Sequence, residues 1–508
     1  MAIDHTVDTE DDTWTRFKHR VDQLGNLGKA EYVLYWDQEI VMPEEGKHAR
    51  ADQISTLSAV KHKLLTEDEM AMLLDDLEDI DLDPDQEAIV RKIQGDYESA
   101  VSVPETLVGD LSRTKSTAHR QWAAAKAEDD FSRFAPSFER LVDIQRAHAE
   151  HIDPDDDPYA VLFREYDPFI EFETVERVIS RLREELVPLI EAVSESDATV
   201  NAAALSGTYD EGTQQELCRD ALDTLGYEWN RGRLDPAPYP LTSGNQFDCR
   251  IGIPFEESDP LGSVLWTAHE FGHSKYMLNL RDDEYGNPLG EAREVVIHKS
   301  QARFWQDQIA RSEAFWEHFM PSVHERFPDT RDVTPREAYE AVNYVYDDNP
   351  IRIEADELTG HLHIIIRFEI ERDLMRGDLE VEDVPAVWND KYEAYLGIRP
   401  ETDSEGCLQD VHWANGSFGY FPAYSLGSVI AAQLYAAAEV EIGAPREHVR
   451  DGHFEAVNEW LRENVHKHGK RYPSTELIER ATGEPLTADY FLDYVTEKYG
   501  SLYELDDY

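Results

Sequence analysis

The sequence predicts a mainly α-helical protein that folds as one large domain. Helical periodicity dominates, strand-like segments are scarce, and no internal repeat or Gly/Ser linker divides the 508 residues. A prior of about 150 residues per domain would suggest roughly three domains. Because no linker is present, one domain with two lobes is the simpler expectation. We place these lobes at residues 1–230 and 231–508.

The helices are predicted from apolar residues that recur three and four positions apart. The clearest run covers 174–190, and similar runs lie near 51–65, 354–375 and 426–442. The clearest strand lies within 246–255, where polar and apolar residues alternate. We therefore expect a short strand just before the helix that carries the main motif.

Composition indicates a globular chain without a membrane span. Hydrophobic residues make up 41%, and no stretch reaches the roughly 18 uninterrupted apolar residues that a spanning helix needs. Residues 1–14 are acidic where a secretory signal would be basic and then apolar. Cys218, Cys249 and Cys407 are far apart and odd in number, which argues against a disulfide framework or a cysteine zinc site. The expected location is cytoplasmic.

The charge of the chain is its most unusual property. It has 106 acidic and 48 basic residues, a formal net charge of −58. Such a charge disfavours binding to nucleic acid or to an anionic membrane surface. At about 1 M salt the Debye length falls to about 3 Å, so self-repulsion largely disappears. We therefore predict a halophilic source.

A helix with a metal-binding pattern follows the predicted strand. Asp259 is a natural N-cap and Pro260 a typical first-turn residue, so we expect a helix that continues through 261–277. Within it His269 and His273 are four residues apart and therefore share one face. Two imidazole nitrogens can then be directed at one zinc ion. The alternative is a pair of buried histidines that satisfy each other.

The remaining parts of a hydrolytic site are only partly visible in this helix. Glu270 is placed to take a proton from a water molecule that the metal activates. No third histidine follows at the metzincin interval, where Tyr276 and Asn279 stand. A third protein ligand must therefore come from a separate element.

Several separate motifs together resemble the Taq-type thermostable metallocarboxypeptidase family. They are His-Glu-Phe-Gly-His at 269–273, Ile-Arg-Ile-Glu-Ala-Asp at 351–356, and the segments 33–43, 406–413 and 416–422. The resemblance covers nearly the whole chain. It implies a mostly helical fold around a deep groove, with a small β-sheet beside the histidine helix.

The resemblance also implies an activity and partners. Members of this family release C-terminal amino acids one after another from peptides, with broad specificity and generally sparing proline. The implied cofactor is zinc, with cobalt or another divalent metal as an alternative. The implied assembly is a homodimer, and the implied substrates are peptides with a free C-terminus.

The third zinc ligand is where this chain departs most from the family. The family places a glutamate there in a His-Glu-Ser run, whereas this chain reads His298, Lys299, Ser300. Lys299 shares a helical stripe with Val295 and Ala302, so its side chain should point where the carboxylate would have pointed. An ammonium group has no lone pair and cannot bind zinc unless it loses a proton.

Two hypotheses follow from this lysine. In the first, the protein is a metallocarboxypeptidase whose third ligand is water, Glu291 or Glu294, although neither glutamate falls cleanly on the face of Lys299. In the second, it is a non-catalytic homologue that binds peptides or partners. The Lys299 ammonium would then lie near Glu270 and supply the missing positive charge.

Two further motifs are altered. Where the family has His-Pro-Phe, this chain has Tyr239 followed by Pro240 and Leu241. Where the family has Asp-x-Arg-x-Thr, this chain keeps Asp248 and Arg250 but ends in Gly252. These changes either arose independently in a site that still works, or together they indicate a site that is no longer catalytic.

The other motif residues suggest roles in binding and catalysis. Arg352 suits clamping a substrate carboxylate, with a structural ion pair to Glu354 or Asp356 as the alternative. His412 and Tyr420 could donate hydrogen bonds to the oxyanion that forms at the peptide carbonyl.

Asp248 and Arg250 are assigned to substrate binding, and two tryptophans are assigned to the core. Asp248 and Arg250 are expected to brace the strand beside the groove, where an extended peptide could add as a further strand. Trp36 and Trp413 are expected in the core.

The charge gives a first testable prediction. We expect the melting temperature to rise steeply when salt increases from about 0.1 to about 3 M, because screening then removes most of the surface repulsion. Thermal melts followed by circular dichroism measure this. Sodium and potassium chloride should act alike, since screening depends on ionic strength. A melting temperature that does not change across the series would contradict the halophile prediction.

Overall fold

The structure is a computed structural model that describes residues 9–505, with side chains from residue 13 onward. The acidic residues at 1–8, which entered the argument against a secretory signal, lie outside the described residues. The fold is mainly helical, as predicted.

Twenty α-helices and three short strands form the regular structure of the described chain. The first helices are α1 Thr9–Ile40, α2 Lys47–Thr66, α3 Asp68–Glu78, α4 Pro84–Ser102, α5 Glu105–Glu128, α6 Ala135–Ile152, α7 Pro158–Arg164, α8 Phe172–Ser194 and α9 Glu211–Leu225. The later helices are α10 Pro260–Leu278, α11 Val295–Arg303, α12 Glu313–Arg326, α13 Pro335–Val342, α14 Thr359–Arg376, α15 Val384–Leu396, α16 Pro422–Ile442, α17 Pro445–Arg450, α18 Phe454–Asn464, α19 Ser474–Thr482 and α20 Asp489–Leu502. The strands are β1 Gly232–Pro236, β2 Leu241–Gly244 and β3 Cys249–Ile253.

The helical runs predicted from periodicity lie in α8, α2, α14 and α16. In α8 one apolar face is buried by Val175, Val178, Ile179, Leu182, Leu186 and Leu189. The segment near 354–375 differs from the prediction, because α14 begins only at Thr359. The Asp356 side chain accepts hydrogen bonds from the backbone amides of Leu358 and Thr359, both at 2.9 Å. This local cap starts the helix later than the apolar pattern suggested.

The small sheet lies beside α10, in the order β1-β3-β2. The predicted strand is confirmed as β3, at its centre. β1 runs parallel to β3, with Gly232 opposite Cys249, and β2 runs antiparallel to β3, with Leu241 opposite Gly252. The outer strands have five and four residues and show no alternating pattern long enough to predict them.

Helix α11 is held between α10 and α16 at very close range. A Cβ atom at Gly272 of α10 would lie 2.3 Å from the carbonyl oxygen of Gln301 and 2.7 Å from the Cα of Ala302. A Cβ atom at Gly427 of α16 would lie 2.9 Å from the Cβ of Lys299. The two glycines therefore allow the backbone of α11 to approach both neighbouring helices.

The interior contains one large and one small hydrophobic core. The small core is formed by Phe17, Val21, Met70, Leu73, Leu74, Leu77, Ala88, Ile89, Ile93 and Leu289. The large core takes residues from Ala118 to Tyr503, and therefore from both sides of the predicted lobe boundary at 230 and 231. That boundary stays a prediction. Trp36 and Trp413 are buried, as expected.

The cysteines were expected to be reduced, and the chain was expected to have no membrane-spanning helix. Cys218, Cys249 and Cys407 are buried free thiols. Within residues 9–505 no helix combines the length and the apolar character needed to cross a membrane.

The packing of α11 can be tested at Gly272. We expect Gly272→Ala to lower the free energy of unfolding by about 1–3 kcal/mol, because the added methyl group meets backbone atoms that cannot move aside. Denaturant unfolding at fixed high salt measures this. Gly95→Ala is the matched control, since Gly95 lies in α4 with no atom within 4 Å of an added Cβ. It should stabilise the protein by about 0.5–1 kcal/mol. Equal effects of the two substitutions would show that α10 and α11 are less closely packed.

Candidate functional site

Helix α10 carries three of the predicted site residues, and its start follows the sequence signals. The Asp259 side chain accepts a hydrogen bond from the backbone amide of Gly262 at 2.8 Å, and Pro260 is the first helical residue. The rings of His269 and His273 lie 5.0 Å apart on one face. Both side chains are only partly buried, so both rings can be reached by a ligand.

Each histidine is oriented by a partner on the following helical segment. Nδ1 of His269 lies 2.8 Å from Oε1 of Gln306, and Nδ1 of His273 lies 2.6 Å from Nδ1 of His298. These contacts leave Nε2 of both rings for another ligand, an arrangement typical of metal-binding histidines. Burial lowers the pKa of both imidazoles well below the usual value. They are therefore neutral, the form that binds metal ions.

Glu270 is a buried carboxyl group next to this pair. It accepts a hydrogen bond of 2.7 Å from Oγ1 of Thr242, a residue of β2. Burial raises the pKa of Glu270 to about 7, although Thr242 and Lys299 act in the opposite direction. A carboxylate with a pKa near neutrality can both accept and return a proton at neutral pH.

Lys299 lies in α11, and its ammonium group is held by aromatic rings. Nζ lies 3.8 Å from the ring centroid of Tyr424 and 5.3 Å from that of Tyr420. Among residues 13–505 no carboxylate lies within ion-pair distance of it. Burial, together with the charge of Arg303, lowers the pKa of Lys299 from 10.5 to about 7, while Glu270 opposes the shift.

The two glutamates weighed as substitute ligands are both engaged elsewhere. The Glu291 carboxylate lies 2.8 Å from Nζ of Lys470 and 3.9 Å from Nζ of Lys29. The Lys470 charge, acting against burial, lowers the pKa of Glu291 to about 2. The Glu294 carboxylate accepts hydrogen bonds from Nε and Nη2 of Arg293. Neither carboxylate is free to bind a metal ion beside the histidines.

The residues present fit only part of a catalytic metal site. His269 and His273 have the protonation state and the free nitrogens that such a site needs. Within residues 13–505 no third protein donor is found beside them, since the resemblance places that ligand at the position of Lys299 and both substitute glutamates are paired elsewhere. In the described part of the chain, no group of three or more His, Cys, Asp or Glu side chains is arranged to hold a metal ion. Catalytic zinc sites usually have three protein ligands.

Arg352 is already paired with a carboxylate. Its Nε and Nη2 donate to Oδ1 of Asp410 at 3.0 and 2.7 Å, and Nε of Arg367 donates to Oδ2 at 2.5 Å. Against the effect of burial, the two arginines hold the pKa of Asp410 well below its usual range. Arg352 therefore does form a structural ion pair, but its partner is Asp410 and not Glu354 or Asp356 as the alternative predicted. The Nη1 nitrogen of Arg352 makes no contact with Asp410, and its two N–H groups are the donors left for a substrate carboxylate.

His412 and Tyr420 lie next to this ion pair. Their rings are 5.9 Å apart, and Nδ1 of His412 lies 3.7 Å from Asp410 without a hydrogen bond. Burial lowers the pKa of His412 to about 4, so its ring is neutral and has one N–H donor. Burial also raises the pKa of Tyr420, which keeps its hydroxyl protonated and able to donate.

The altered motifs each have structural partners. The Tyr239 hydroxyl donates to Glu39 at 2.7 Å and lies 3.0 Å from the Tyr35 hydroxyl, both on α1. A Cβ atom at Gly252 would lie 2.8 Å from Cδ2 of Leu241, its partner across the sheet. The leucine and the glycine therefore form a packing pair.

Asp248 and Arg250 face each other at the start of β3. The Arg250 guanidinium donates twice to the Asp248 carboxylate, at 2.9 and 2.6 Å. It also lies 6.0 Å from the ring of Trp36 on α1. These contacts support the expected bracing of the strand.

Sequence reasoning missed four residues of this site. Thr242 and Gln306 contact Glu270 and His269 from distant parts of the chain, and no local pattern indicates such contacts. Asp410 and Tyr424 lie inside or next to motifs that were already singled out. Tyr424 lies in the first turn of α16, two residues after the motif at 416–422, and this closeness in sequence could have indicated it.

The chain belongs to the carboxypeptidase Taq (M32) metallopeptidase family, which it matches over residues 16–499. It is 34% identical to carboxypeptidase 1 of Bacillus subtilis over 489 residues, covering 95% of this chain and 97% of that protein. Thermostable carboxypeptidase 1 of Pyrococcus furiosus is 35% identical over 477 residues, with coverage of 93% and 95%. The solved structure of the M32 carboxypeptidase from Deinococcus radiodurans R1 superposes with a TM-score of 0.94 at 35% identity, over 97% of this chain and all of that one. The family resemblance and the fold class are confirmed.

The lowered pKa of Lys299 gives a prediction about stability. Between about pH 7 and about pH 10 the unfolded chain binds a proton at this lysine that the folded chain does not, so the stability of the protein increases with pH in this window. We expect Lys299→Met to remove that cost. At about pH 7 it should raise the free energy of unfolding by at least about 1 kcal/mol.

The comparison uses denaturant unfolding of both proteins across this pH range. The advantage of the methionine variant should shrink as the pH rises toward 10. Lys63→Met, at a lysine whose side chain is 75% exposed, is the matched control and should change the stability by at most about 0.5 kcal/mol, since it removes only a surface ion pair with Glu67. A difference between Lys299→Met and the parent protein that is independent of pH would contradict the prediction.

Proposed function

We propose that this member of the carboxypeptidase Taq family removes amino acids from the free C-terminus of peptides with the help of a divalent metal, zinc before cobalt, at His269 and His273. The observation that carries the proposal is the pair of neutral histidines whose Nε2 atoms remain free beside Glu270. The curated relatives, which are named carboxypeptidases, support the same activity. Broad specificity, a homodimer and a cytoplasmic location are further parts of the proposal, taken from the resemblance and the composition.

Each residue of the site would have a separate role in peptide hydrolysis. A bound divalent metal would supply the electrostatic activation of the attacking water. Glu270 would accept the proton of that water and return it to the leaving amine, with Thr242 fixing its carboxylate. His412 and Tyr420 would donate hydrogen bonds to the oxyanion. The free Nη1 of Arg352 would bind the terminal carboxylate of the peptide.

A second function is favoured by one specific observation. Lys299 places an ammonium group where the third ligand is expected, and two protein donors bind a metal ion weakly. A protein with this lysine could bind peptide ends without cleaving them. The metal affinity therefore decides between the two functions.

Lys299→Glu tests the proposal directly. We expect the substitution to strengthen zinc binding by at least about tenfold. Residues that only support metal ligands already change metal affinity by about this factor, and a direct ligand should change it more. It replaces a repelling cation by an anionic donor, and α11 holds its backbone in place. Zinc affinity can be measured by competition with a chelator in high salt.

Hydrolysis of an acylated dipeptide with a free C-terminus is the second readout, and the C-terminal amide of the same dipeptide should not be cleaved. Lys63→Glu is the matched control, because it makes the same charge change at an exposed position. Stoichiometric, tightly held zinc in the parent protein, unaffected by Lys299→Glu, would show that the third ligand is another residue.

A further inference from the structure

An ammonium group without an anionic partner is unusual in a chain with a net charge of −58. The other basic side chains near Lys299 are each paired with a carboxylate. Arg352 and Arg367 share Asp410, and Arg303 lies 3.6 Å from Asp307. Lys299 has only the faces of two tyrosine rings. The centre of the site is thus locally positive in a strongly acidic protein.

Two cations border the same ring at this point. The Lys299 ammonium lies 3.8 Å from the centroid of the Tyr424 ring, and the Arg352 guanidinium lies 5.4 Å from it. The two groups are close enough for Arg352 to disfavour the protonated form of Lys299. An anion that contacts both groups would relieve this repulsion and would accept hydrogen bonds from each of them.

The position of the ammonium is fixed by the helix packing. Gly427 lets the backbone of α16 approach the Cβ of Lys299, so the base of the lysine side chain is enclosed. The rings of Tyr420 and Tyr424, 5.4 Å apart, then guide its outer end. A donor that is held in place before the ligand arrives binds it with a smaller loss of entropy.

We propose that Lys299, together with Arg352 and Tyr424, forms a carboxylate-binding site that works without metal and takes the free C-terminal carboxylate of a peptide. We call these three residues the Tyr424 site. The inference rests on the proposed function in one respect, since it assumes that peptides enter this part of the molecule by their C-terminus. It adds that Lys299 is a ligand-binding residue, and that the metal-free protein is competent to bind.

The experiment is an equilibrium titration of the full-length protein with an acetylated tripeptide, by calorimetry, in molar salt with excess EDTA at about pH 6, where Lys299, whose pKa is lowered to about 7, is protonated in the folded protein. We expect the tripeptide to bind, and its C-terminal amide to bind at least about tenfold more weakly, because the amide lacks the charge. Lys299→Met should weaken the binding of the free acid by at least about tenfold and leave the binding of the amide unchanged. Lys299→Arg should restore part of the affinity.

Two controls keep the result interpretable. Lys63→Met removes a lysine at an exposed position and should not change binding. Lys299→Met is expected to be more stable than the parent, so a loss of binding would not reflect unfolding, and melting curves check this. Replacing chloride by methanesulfonate at constant ionic strength shows whether a small anion competes. Tighter peptide binding without chloride, absent in Lys299→Met, supports an anion site at this lysine.

The inference is overturned if the amide binds as well as the free acid, or if Lys299→Met binds the free acid with unchanged affinity. Both results are obtained without metal and without cleavage. Failure of the zinc experiment therefore leaves this test intact, and failure of this test leaves open whether the metal-loaded protein hydrolyses peptides.

Discussion

The close approach of α11 to both α10 and α16 is the constraint on which the rest of the site depends. Gly272 and Gly427 have no side chain at the contact points, so the backbone around Lys299 lies within van der Waals distance of both helices. A side chain at position 299 is therefore delivered to the same place whatever its chemistry. Because the fold fixes the position, a single residue type determines whether the histidine pair gains an anionic donor or faces a cation.

Burial then sets the protonation state of each group around that position. It keeps His269 and His273 neutral, raises the pKa of Glu270 to about 7 and lowers that of Lys299 to about 7. The acid and the base shift toward each other because the low-dielectric surroundings penalise both charged forms. The arginine that could bind a substrate carboxylate is held by Asp410 through Nε and Nη2, which leaves the N–H groups of Nη1 for a ligand. The site thus combines preserved parts of a hydrolytic centre with a resident cation.

The sequence predicts the parts of this site that depend on local patterns. The helix over 260–278 follows from its cap and first-turn proline, and β3 from its alternation. The predictions are less accurate where a side-chain contact, and not a local sequence pattern, determines the structure. The start of α14 is set by a side-chain cap at Asp356, and the partner of Arg352 is a residue 58 positions later rather than a neighbour in its own motif. Thr242 and Gln306 are brought to the site only by the sheet and by α11, and no spacing in the sequence could indicate them.

The structure also separates the departures from the family pattern by their physical consequences. Leu241 and Gly252 are opposite each other in the sheet, and the space that the glycine leaves is filled by the leucine, so these two changes form one compensated packing pair. Tyr239 has two hydrogen-bonding partners on α1 and is likewise accommodated. Lys299 differs from all of these, since among the described residues it has no hydrogen bond or ion pair and carries a charge opposite to that of the residue it replaces. The first three changes are therefore accommodated by contacts around the site, whereas the lysine is the change on which both proposals depend.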